Sequence, residues 1–298
     1  MRMVVSSLVV LLMVLLLLAY FTMLERKVLG YGQMRKGPNK VMFLGLGQPL
    51  VDGVKLMMKT FLPLKGSLVG MYMIMPIGVF MVMMAMWLMV LSVWGVNLCM
   101  YFMLALMVLV GVMLVLVFLL SVFSGSKYGV IGAMRGLAQM VSYEILMGLV
   151  LILIFMEGFS YSINSSGLLV YHIPVLFVWW MVCVVETNRS PVDFMEGESE
   201  LVSGFNVEFS SVLFAMLFLG EYGVMSFYSV VTVYLFMGWG GVGVSMLLSL
   251  FIILMFIWWR LTYPRYRYDL LMSMSWGVML PLLLVMFISS SSLVGMVG

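Results

Sequence analysis

Two carboxylic acids lie inside stretches of sequence that are otherwise apolar. Glu144 and Glu221 each stand near the middle of a run long enough to cross a membrane. A charge at that depth costs at least about 2.5–3.5 kcal/mol, so such groups normally face the protein interior and mark proton or ion paths. Arg135 precedes Glu144 by nine residues, which is too far for a direct pair along one helix. Glu144 therefore needs another partner or a bound proton. The alternative is that each acid serves only as a hydrogen-bonding group between helices.

A second group of acids forms a loop over residues 186–208. Six acids face a single base, Arg189, and apolar residues such as Phe194 and Phe205 lie among them. Solvated acidic loops usually lack that apolar content. Where clustered carboxylates are partly buried, their repulsion raises the pKa of some of them, so that they hold protons near neutrality. The acids of this loop are Glu186, Asp193, Glu196, Glu198, Glu200 and Glu208.

The basic residues gather in a different loop, which follows the first apolar stretch. Eight of them occur between residues 26 and 65. Within this loop the polar residues Gln48, Asp52, Lys55 and Lys59 recur at helical spacing, with apolar residues on another face. This pattern predicts an amphipathic helix over about residues 46–61 that is too short and too charged to span a membrane. Such a helix either rests on the lipid headgroups or roofs a cavity and docks a soluble partner.

The residues that ligate metals are scarce. An iron–sulfur cluster usually takes four cysteines, and the chain has only Cys99, Cys183 and one histidine, His172. Residues 238–243 match the spacing G-x-G-x-x-G, but no acidic residue follows until Asp269. A dinucleotide site needs an acid about 20 positions further on and a βαβ unit around the glycines. We therefore expect no metal and no cofactor to be bound by this chain, so that any redox centre belongs to partner proteins.

The elements that must position these residues are membrane spans. Of the 298 residues 65% are hydrophobic and 9% are charged, whereas soluble domains are about 25% charged. About 20 apolar residues cross the hydrocarbon core, and this length predicts an all-α integral membrane protein with eight transmembrane helices in one membrane domain, residues 1–298. The predicted spans are 3–24, two within 66–126, 131–155, 173–185, 209–236, 242–259 and 270–288, followed by a polar tail at 289–292.

The charge pattern gives a topology for these spans. With eight spans, 14 of the 15 basic residues fall on one side of the membrane, and only Arg2 lies on the other. The positive-inside rule places that side in the cytoplasm or matrix and both termini on the other side of the membrane. A net charge of +3 is too small to indicate nucleic acid, so lipids and other membrane proteins are the expected neighbours.

Several loop motifs occur in the order typical of one family. They are residues 25–31, 35–39, 48–56, 186–191, 196–206 and 265–269. On these motifs the chain resembles, from end to end, the subunit 1 family of mitochondrial NADH–ubiquinone oxidoreductase, respiratory complex I. The 36 methionines suit a mitochondrially encoded member. The family usually has an acid after the position of Lys59, whereas this chain has the uncharged Thr60 there.

The resemblance implies a location and a set of partners. The protein would be a multi-pass subunit of the mitochondrial inner membrane with both termini on the intermembrane-space side. It would contact the quinone-module subunits that carry or flank the terminal iron–sulfur cluster, and also the antiporter-like membrane subunits. NADH, FMN and the iron–sulfur clusters would reside in partner subunits, and ubiquinone would be the substrate.

The resemblance also implies roles for individual residues. Those expected to line the quinone chamber are Arg26, Arg35, Asp52, Phe218, Tyr222, Arg260 and Arg265. Those expected to form an acidic path for protons, coupling quinone reduction to proton translocation, are Glu144, Glu186, Asp193, Glu196, Glu198, Glu200, Glu208 and Glu221.

Three alternatives are open at this point. The first is the membrane anchor of a related respiratory hydrogenase or formate-oxidising complex, which would share the fold and the acidic path. The second is an autonomous transporter, which would be expected to show an internal repeat, and none is evident. The third is a purely structural anchor, which leaves Glu144 and Glu221 without a purpose.

Overall fold

The computed structural model describes residues 2–60, 69–93, 102–158, 173–195, 209–237 and 242–297. Over these ranges the chain is helical with short connecting segments and contains no strand. The predicted all-α membrane class is confirmed. The helices are α1 Arg2–Gly32, α2 Gln48–Met58, α3 Val69–Val93, α4 Phe102–Phe123, α5 Lys127–Gly158, α6 Ile173–Glu186, α7 Ser211–Thr232, α8 Val242–Thr262, α9 Tyr268–Met274 and α10 Leu280–Val297.

Each predicted span coincides with a helix, and several helices, among them α1 and α10, extend beyond the predicted bounds. α1 continues past the charged residues that follow its apolar stretch and ends in a Schellman motif. There Met34 adopts a left-handed conformation, and the N–H of Arg35 bonds the carbonyl of Gly30 at 2.9 Å. The polar tail expected at residues 289–292 is wrong, because these serines are helical in α10. Their hydroxyls donate to carbonyls three residues earlier, which satisfies them inside a helix.

Seven helical segments among the described residues are long and apolar enough to cross a membrane. α9 and α10 count as one of them because the π-helical turn Ser275–Met279 joins them. The remaining apolar helix, α6, has 14 residues, or about 21 Å at 1.5 Å per residue, which is less than the roughly 30 Å hydrocarbon core. The amphipathic helix is present as α2, and it has no buried residue.

The centre of the fold is α7, which packs against α1, α2, α3 and α8. Its contact with α3 is close because Gly220 and Gly223 face that helix. A Cβ on Gly223 would come within 2.4 Å of the Cγ of Met83, and the indole of Trp87 donates to the Gly223 carbonyl at 3.1 Å. Small residues at a helix interface let two membrane helices approach closely. This packing fixes the position of the polar side chains on α7.

The short α6 leads into an irregular segment, residues 187–195, in which six of the nine residues are buried and the other three are half-buried. Asn188 adopts a left-handed conformation directly after the helix, which is a common helix ending. The carbonyl of Pro191 accepts from the N–H of Tyr266 at 3.1 Å, and the carbonyl of Val192 accepts from the side chain of Gln139 at 3.4 Å. Non-helical backbone at membrane depth is tolerated only where protein or a polar cavity surrounds it. The segment therefore carries polar groups into the protein interior.

Candidate functional site

Three helices meet at the carboxylate of Glu25, which is only 4% exposed. The guanidinium of Arg260, from the end of α8, forms an ion pair and hydrogen bond with its Oε1. The hydroxyl of Tyr222, from α7, donates to its Oε2 at 2.5 Å. Both carboxylate oxygens are thus engaged, as a buried charge requires. Glu25 ties the later part of α1, the middle of α7 and the end of α8 together through one anionic centre.

A second ion pair, between a buried arginine and a half-buried glutamate, adjoins this centre. Nη2 of Arg189 lies 2.5 Å from Oε2 of Glu221. The same guanidinium stands over the ring of Tyr222, 4.6 Å from its centroid, and over the ring of Phe218 at 5.2 Å. Aromatic faces attract cations at these distances. Arg189 therefore links Glu221 to the tyrosine that holds Glu25.

The two ion pairs are also joined by a small cavity. It measures about 10 Å³ and is lined by Glu25 and Arg260 on one side and by Arg189 and Ser190 on the other. That is close to the space one water molecule needs. Cations and carboxylates thus alternate from α8 through α1 to the buried segment after α6.

A larger cavity lies beyond Glu221. Its volume is about 40 Å³, and its polar lining includes Glu186, Asn188, Glu221 and Tyr228. Oε1 of Glu186 and Oδ1 of Asn188 are buried and accept no hydrogen bond from the residues that the structure describes. The rest of the lining is apolar and includes Met86, Leu114 and Leu217. Glu221 and Glu186 thus line one cavity in the interior.

Glu144 lies on α5, close enough to Glu186 for the two carboxylates to repel each other electrostatically. It faces α4 at Gly111, where a Cβ would come within 3.1 Å of Oε1 of Glu144. No hydrogen bond to Glu144 occurs within the described part of the chain. The structure thus brings Glu144, Glu186 and Glu221 to one region of the interior.

The remaining site residues stand at the ends of the helices. Arg26 of α1 pairs with Asp52 of α2 at 2.8 Å, and Gln48 donates to the other Asp52 oxygen at 2.8 Å. Arg265 lies 3.5 Å from the carboxylate of Asp193 in the buried segment. Both pairs are more exposed than those around Glu25. The first pair holds α2 to α1, and the second holds the chain after α8 to the buried segment after α6.

Arg35 is exposed and stands apart from the buried network, with its Nε donating to Gln33 at 3.0 Å. The acids Glu196, Glu198, Glu200 and Glu208 lie outside the described residues, so the structure places none of them. Two residues absent from the predicted site are central to it, namely Glu25 and Arg189. The signal for Arg189 was its position as the only base among six acids. Glu25 ends a long apolar run, a place where a charge is ordinarily solvated.

Comparison with known proteins shows which family the chain resembles. The profile of a family described as NADH dehydrogenase matches residues 5–291. The chain is similar to proteins named NADH-ubiquinone oxidoreductase chain 1. It is 37% identical to that of Lampetra fluviatilis over 322 aligned positions, covering 99% of this chain and 97% of the relative. It is 41% identical to that of Anopheles gambiae, and the alignment covers 93% of this chain and 91% of the relative. It is 40% identical to that of Heterololigo bleekeri, and the alignment covers 90% of this chain and 89% of the relative.

Proposed function

Because the chain belongs to the NADH dehydrogenase family and is a membrane subunit of NADH–ubiquinone oxidoreductase, we propose that its charged network couples ubiquinone reduction to proton translocation. It is a multi-pass protein of the mitochondrial inner membrane, and other subunits of the same complex are its partners. The observation that carries the proposal is the continuous run of polar groups from Arg260 and Glu25, through Tyr222, Arg189 and Glu221, to the cavity at Glu186.

The residues around the end of this run that contains Arg260 and Glu25, here called its outer end, are suited to hold a quinone. Arg26 lies in the later part of α1, Arg35 follows that helix, and Asp52 lies within α2. Phe218 and Tyr222 supply aromatic faces from α7. Arg260 near the end of α8 and Arg265 after it add positive charge. Apolar walls with a few placed polar groups are typical of sites for small molecules. This group forms one wall of the ubiquinone chamber, and partner subunits complete the other walls.

Reduction of ubiquinone to ubiquinol consumes two electrons and two protons at the carbonyl oxygens of the ring. The electrons come from iron–sulfur clusters in partner subunits, because this chain has only two cysteines and one histidine, whereas a cluster usually takes four cysteines. Negative charge that develops on the quinone attracts nearby guanidinium groups and weakens their ion pairs with Glu25 and Glu221. The carboxylates then gain protons or change position. A local charge change is in this way converted into a response at a second site.

The inner end of the run is the acidic path. Glu221, Glu186 and Glu144 lie in one region, and Asp193 is held beside it by Arg265. The path continues through Glu196, Glu198, Glu200 and Glu208 of the same loop, and it leads toward the antiporter-like membrane subunits. The basic loops face the matrix and contact the quinone-module subunits, while both termini face the intermembrane space. Residues 1–298 act as a single membrane unit.

The test uses the native assembly purified in mild detergent. It measures inhibitor-sensitive NADH–ubiquinone activity and the labelling of this chain by a photoreactive quinone analogue. We expect labelled peptides from α1 near Arg26, from α7 near Tyr222 and from α8 near Arg260, with labelling suppressed by excess ubiquinone. Labelling confined to other subunits, or unaffected by ubiquinone, would refute the chamber wall. The alternative function is that of a membrane anchor in a hydrogenase or formate-oxidising complex that does not use quinone. If the chain has that function, ubiquinone should not suppress the labelling.

A further inference from the structure

Tyr228 of α7 lines the same interior cavity as Glu186 and Glu221. We propose that Tyr228 is a positioning residue of the acidic path, whose hydroxyl donates a hydrogen bond to the carboxylate of Glu186 when that acid is ionised. This role rests on the proposed function of the path. It assigns control over one of the acids to a neutral side chain.

The position of Tyr228 is set by two helices. It follows Glu221 by seven residues, or about two turns, so both side chains lie on one face of α7. The ring is only 1% exposed, and its edge contacts Trp179 of α6 with the ring centroids 6.2 Å apart. Glu186 in turn stands seven residues after Trp179 on α6. The phenol and the carboxylate are thus presented to one cavity from two fixed helices.

The hydrogen bonds in this cavity are poorly matched. The hydroxyl of Tyr228 donates to Sδ of Met147 at 3.8 Å, and a thioether is a weak acceptor. Oε1 of Glu186 is buried and accepts no hydrogen bond from the residues that the structure describes. Buried polar groups normally have a partner. The cavity therefore has a donor with a poor acceptor and an acceptor without a donor.

The acids around the phenol give it a reason to change partner. Glu186 and Cys183 of α6 and Glu144 of α5 are close enough to act electrostatically on the hydroxyl of Tyr228. An ionised carboxylate inside a protein needs hydrogen bonds, and bonds to a charged acceptor are stronger than those to a neutral one. Ionised Glu186 should therefore draw the hydroxyl away from Met147. Protonation of Glu186 removes that attraction and releases the hydroxyl.

Two substitutions separate this role from a merely structural one. Tyr228→Phe removes the hydroxyl and retains the ring, whereas Met147→Leu removes the sulfur and roughly conserves the apolar volume. In the purified complex, Tyr228→Phe should lower kcat for ubiquinone reduction about tenfold, as expected for a hydrogen bond to a charged group, and leave KM unchanged. Met147→Leu should leave both constants near the wild-type values. Equal losses in the two variants would show that the hydroxyl serves only its contact with Met147 and would overturn the proposal.

Tyr72→Phe is the matched control for the loss of a buried phenol. Tyr72 is also 1% exposed, and its ring stacks on Phe209 with the centroids 4.5 Å apart. This variant should keep the wild-type kcat. A tenfold loss here as well would attribute the effect of Tyr228→Phe to general packing and would count against the proposal.

The double variant with Glu186→Gln tests whether the two residues act together. Effects of residues in one hydrogen-bonded network are not additive. Once Glu186→Gln has removed the negative charge, Tyr228→Phe should lower kcat little further. Additive losses would show that the hydroxyl acts independently of Glu186 and would overturn the assignment.

Infrared spectroscopy of the resting complex with isotope-labelled tyrosine provides a readout that does not depend on quinone reduction. The C–O stretching band of a phenol reports the acceptor of its hydroxyl. At alkaline pH, a tyrosine band that is lost in Tyr228→Phe should shift in Glu186→Gln and stay in place in Met147→Leu. The opposite pattern would overturn the proposal. If Tyr228→Phe prevents assembly, difference spectra of the other two variants against the wild type decide the question.

These measurements also separate this role from the proposed coupling function. If the acidic path does not couple ubiquinone reduction to protons, Glu186→Gln should leave ubiquinone reductase activity unchanged, and the infrared comparison then decides on the hydrogen bond alone. If the path does couple the two but Tyr228 has no part in it, Glu186→Gln should lower the activity while Tyr228→Phe leaves it at the wild-type level.

Discussion

The hydroxyl of Tyr222 donates a 2.5 Å hydrogen bond to the carboxylate of Glu25, although the two residues are 197 positions apart in the chain. This contact joins α7 to α1 inside a membrane protein, where both groups are buried. It also connects the two ion pairs of the interior, since Glu25 pairs with Arg260 and the ring of Tyr222 lies under Arg189.

Tyr222→Phe removes the hydroxyl and preserves the aromatic face beneath Arg189. A hydrogen bond to a charged group contributes about 1.5–3 kcal/mol, so we expect ubiquinone reductase activity to fall by roughly tenfold. NADH oxidation with an artificial hydrophilic acceptor should remain near the wild-type rate, because that reaction does not use the membrane chamber. The two activities are measured on the same purified complex.

Tyr143→Phe is the control for this substitution. Tyr143 is also buried, and its hydroxyl donates to a neutral carbonyl, that of Leu271, at 3.3 Å. Its loss should cost about 0.5–1.5 kcal/mol of stability without separating the two activities. Equal losses of both activities in Tyr222→Phe would indicate a role in assembly alone.

Glu221→Gln leaves the guanidinium of Arg189 without the carboxylate that lies 2.5 Å away. Removing one partner of a buried ion pair costs about 3–5 kcal/mol, so we expect markedly less assembled complex on a native gel. The double variant Glu221→Leu with Arg189→Met replaces both charges by apolar groups, which is often neutral for stability. It should recover assembly but not ubiquinone reductase activity. Recovery of both would show that the pair is structural only.

Gly223→Ala tests the close contact between α7 and α3. The added Cβ would come within 2.4 Å of Met83, and overpacking of this kind typically costs about 1–3 kcal/mol. We expect a lower thermal midpoint and less assembled complex. Gly243→Ala is the matched control, because nothing lies within 4 Å of the Cβ that it adds. A similar loss in both variants would show that the effect comes from backbone changes instead of packing.

Much of this architecture was predictable from the sequence, because apolar length determines where helices cross a membrane. The helical spacing of polar residues around Asp52 likewise predicted α2. The role of Glu25 was not predictable, since a charge at the end of an apolar run is ordinarily solvated. Its burial depends on Arg260 and Tyr222, which come from distant parts of the chain. The sequence predicted that α6 is a full span and that the residues after it form a loop. The burial of that irregular backbone was not predictable, because it depends on packing by α5 and α8.

The pair formed by Arg26 and Asp52 offers a way to separate function from stability. Its side chains are 56% and 33% exposed, and exposed ion pairs typically contribute only about 0.2–1 kcal/mol. Asp52→Asn should therefore leave assembly and thermal stability nearly unchanged. If this pair lines the quinone chamber, the substitution should still raise the KM for ubiquinone severalfold, because it alters the charge beside Arg26. Asp269→Asn is the matched control, since Asp269 forms a more exposed pair with Arg267 at 3.1 Å. The same shift in KM for both variants would indicate a general surface-charge effect and would remove Asp52 from the chamber wall.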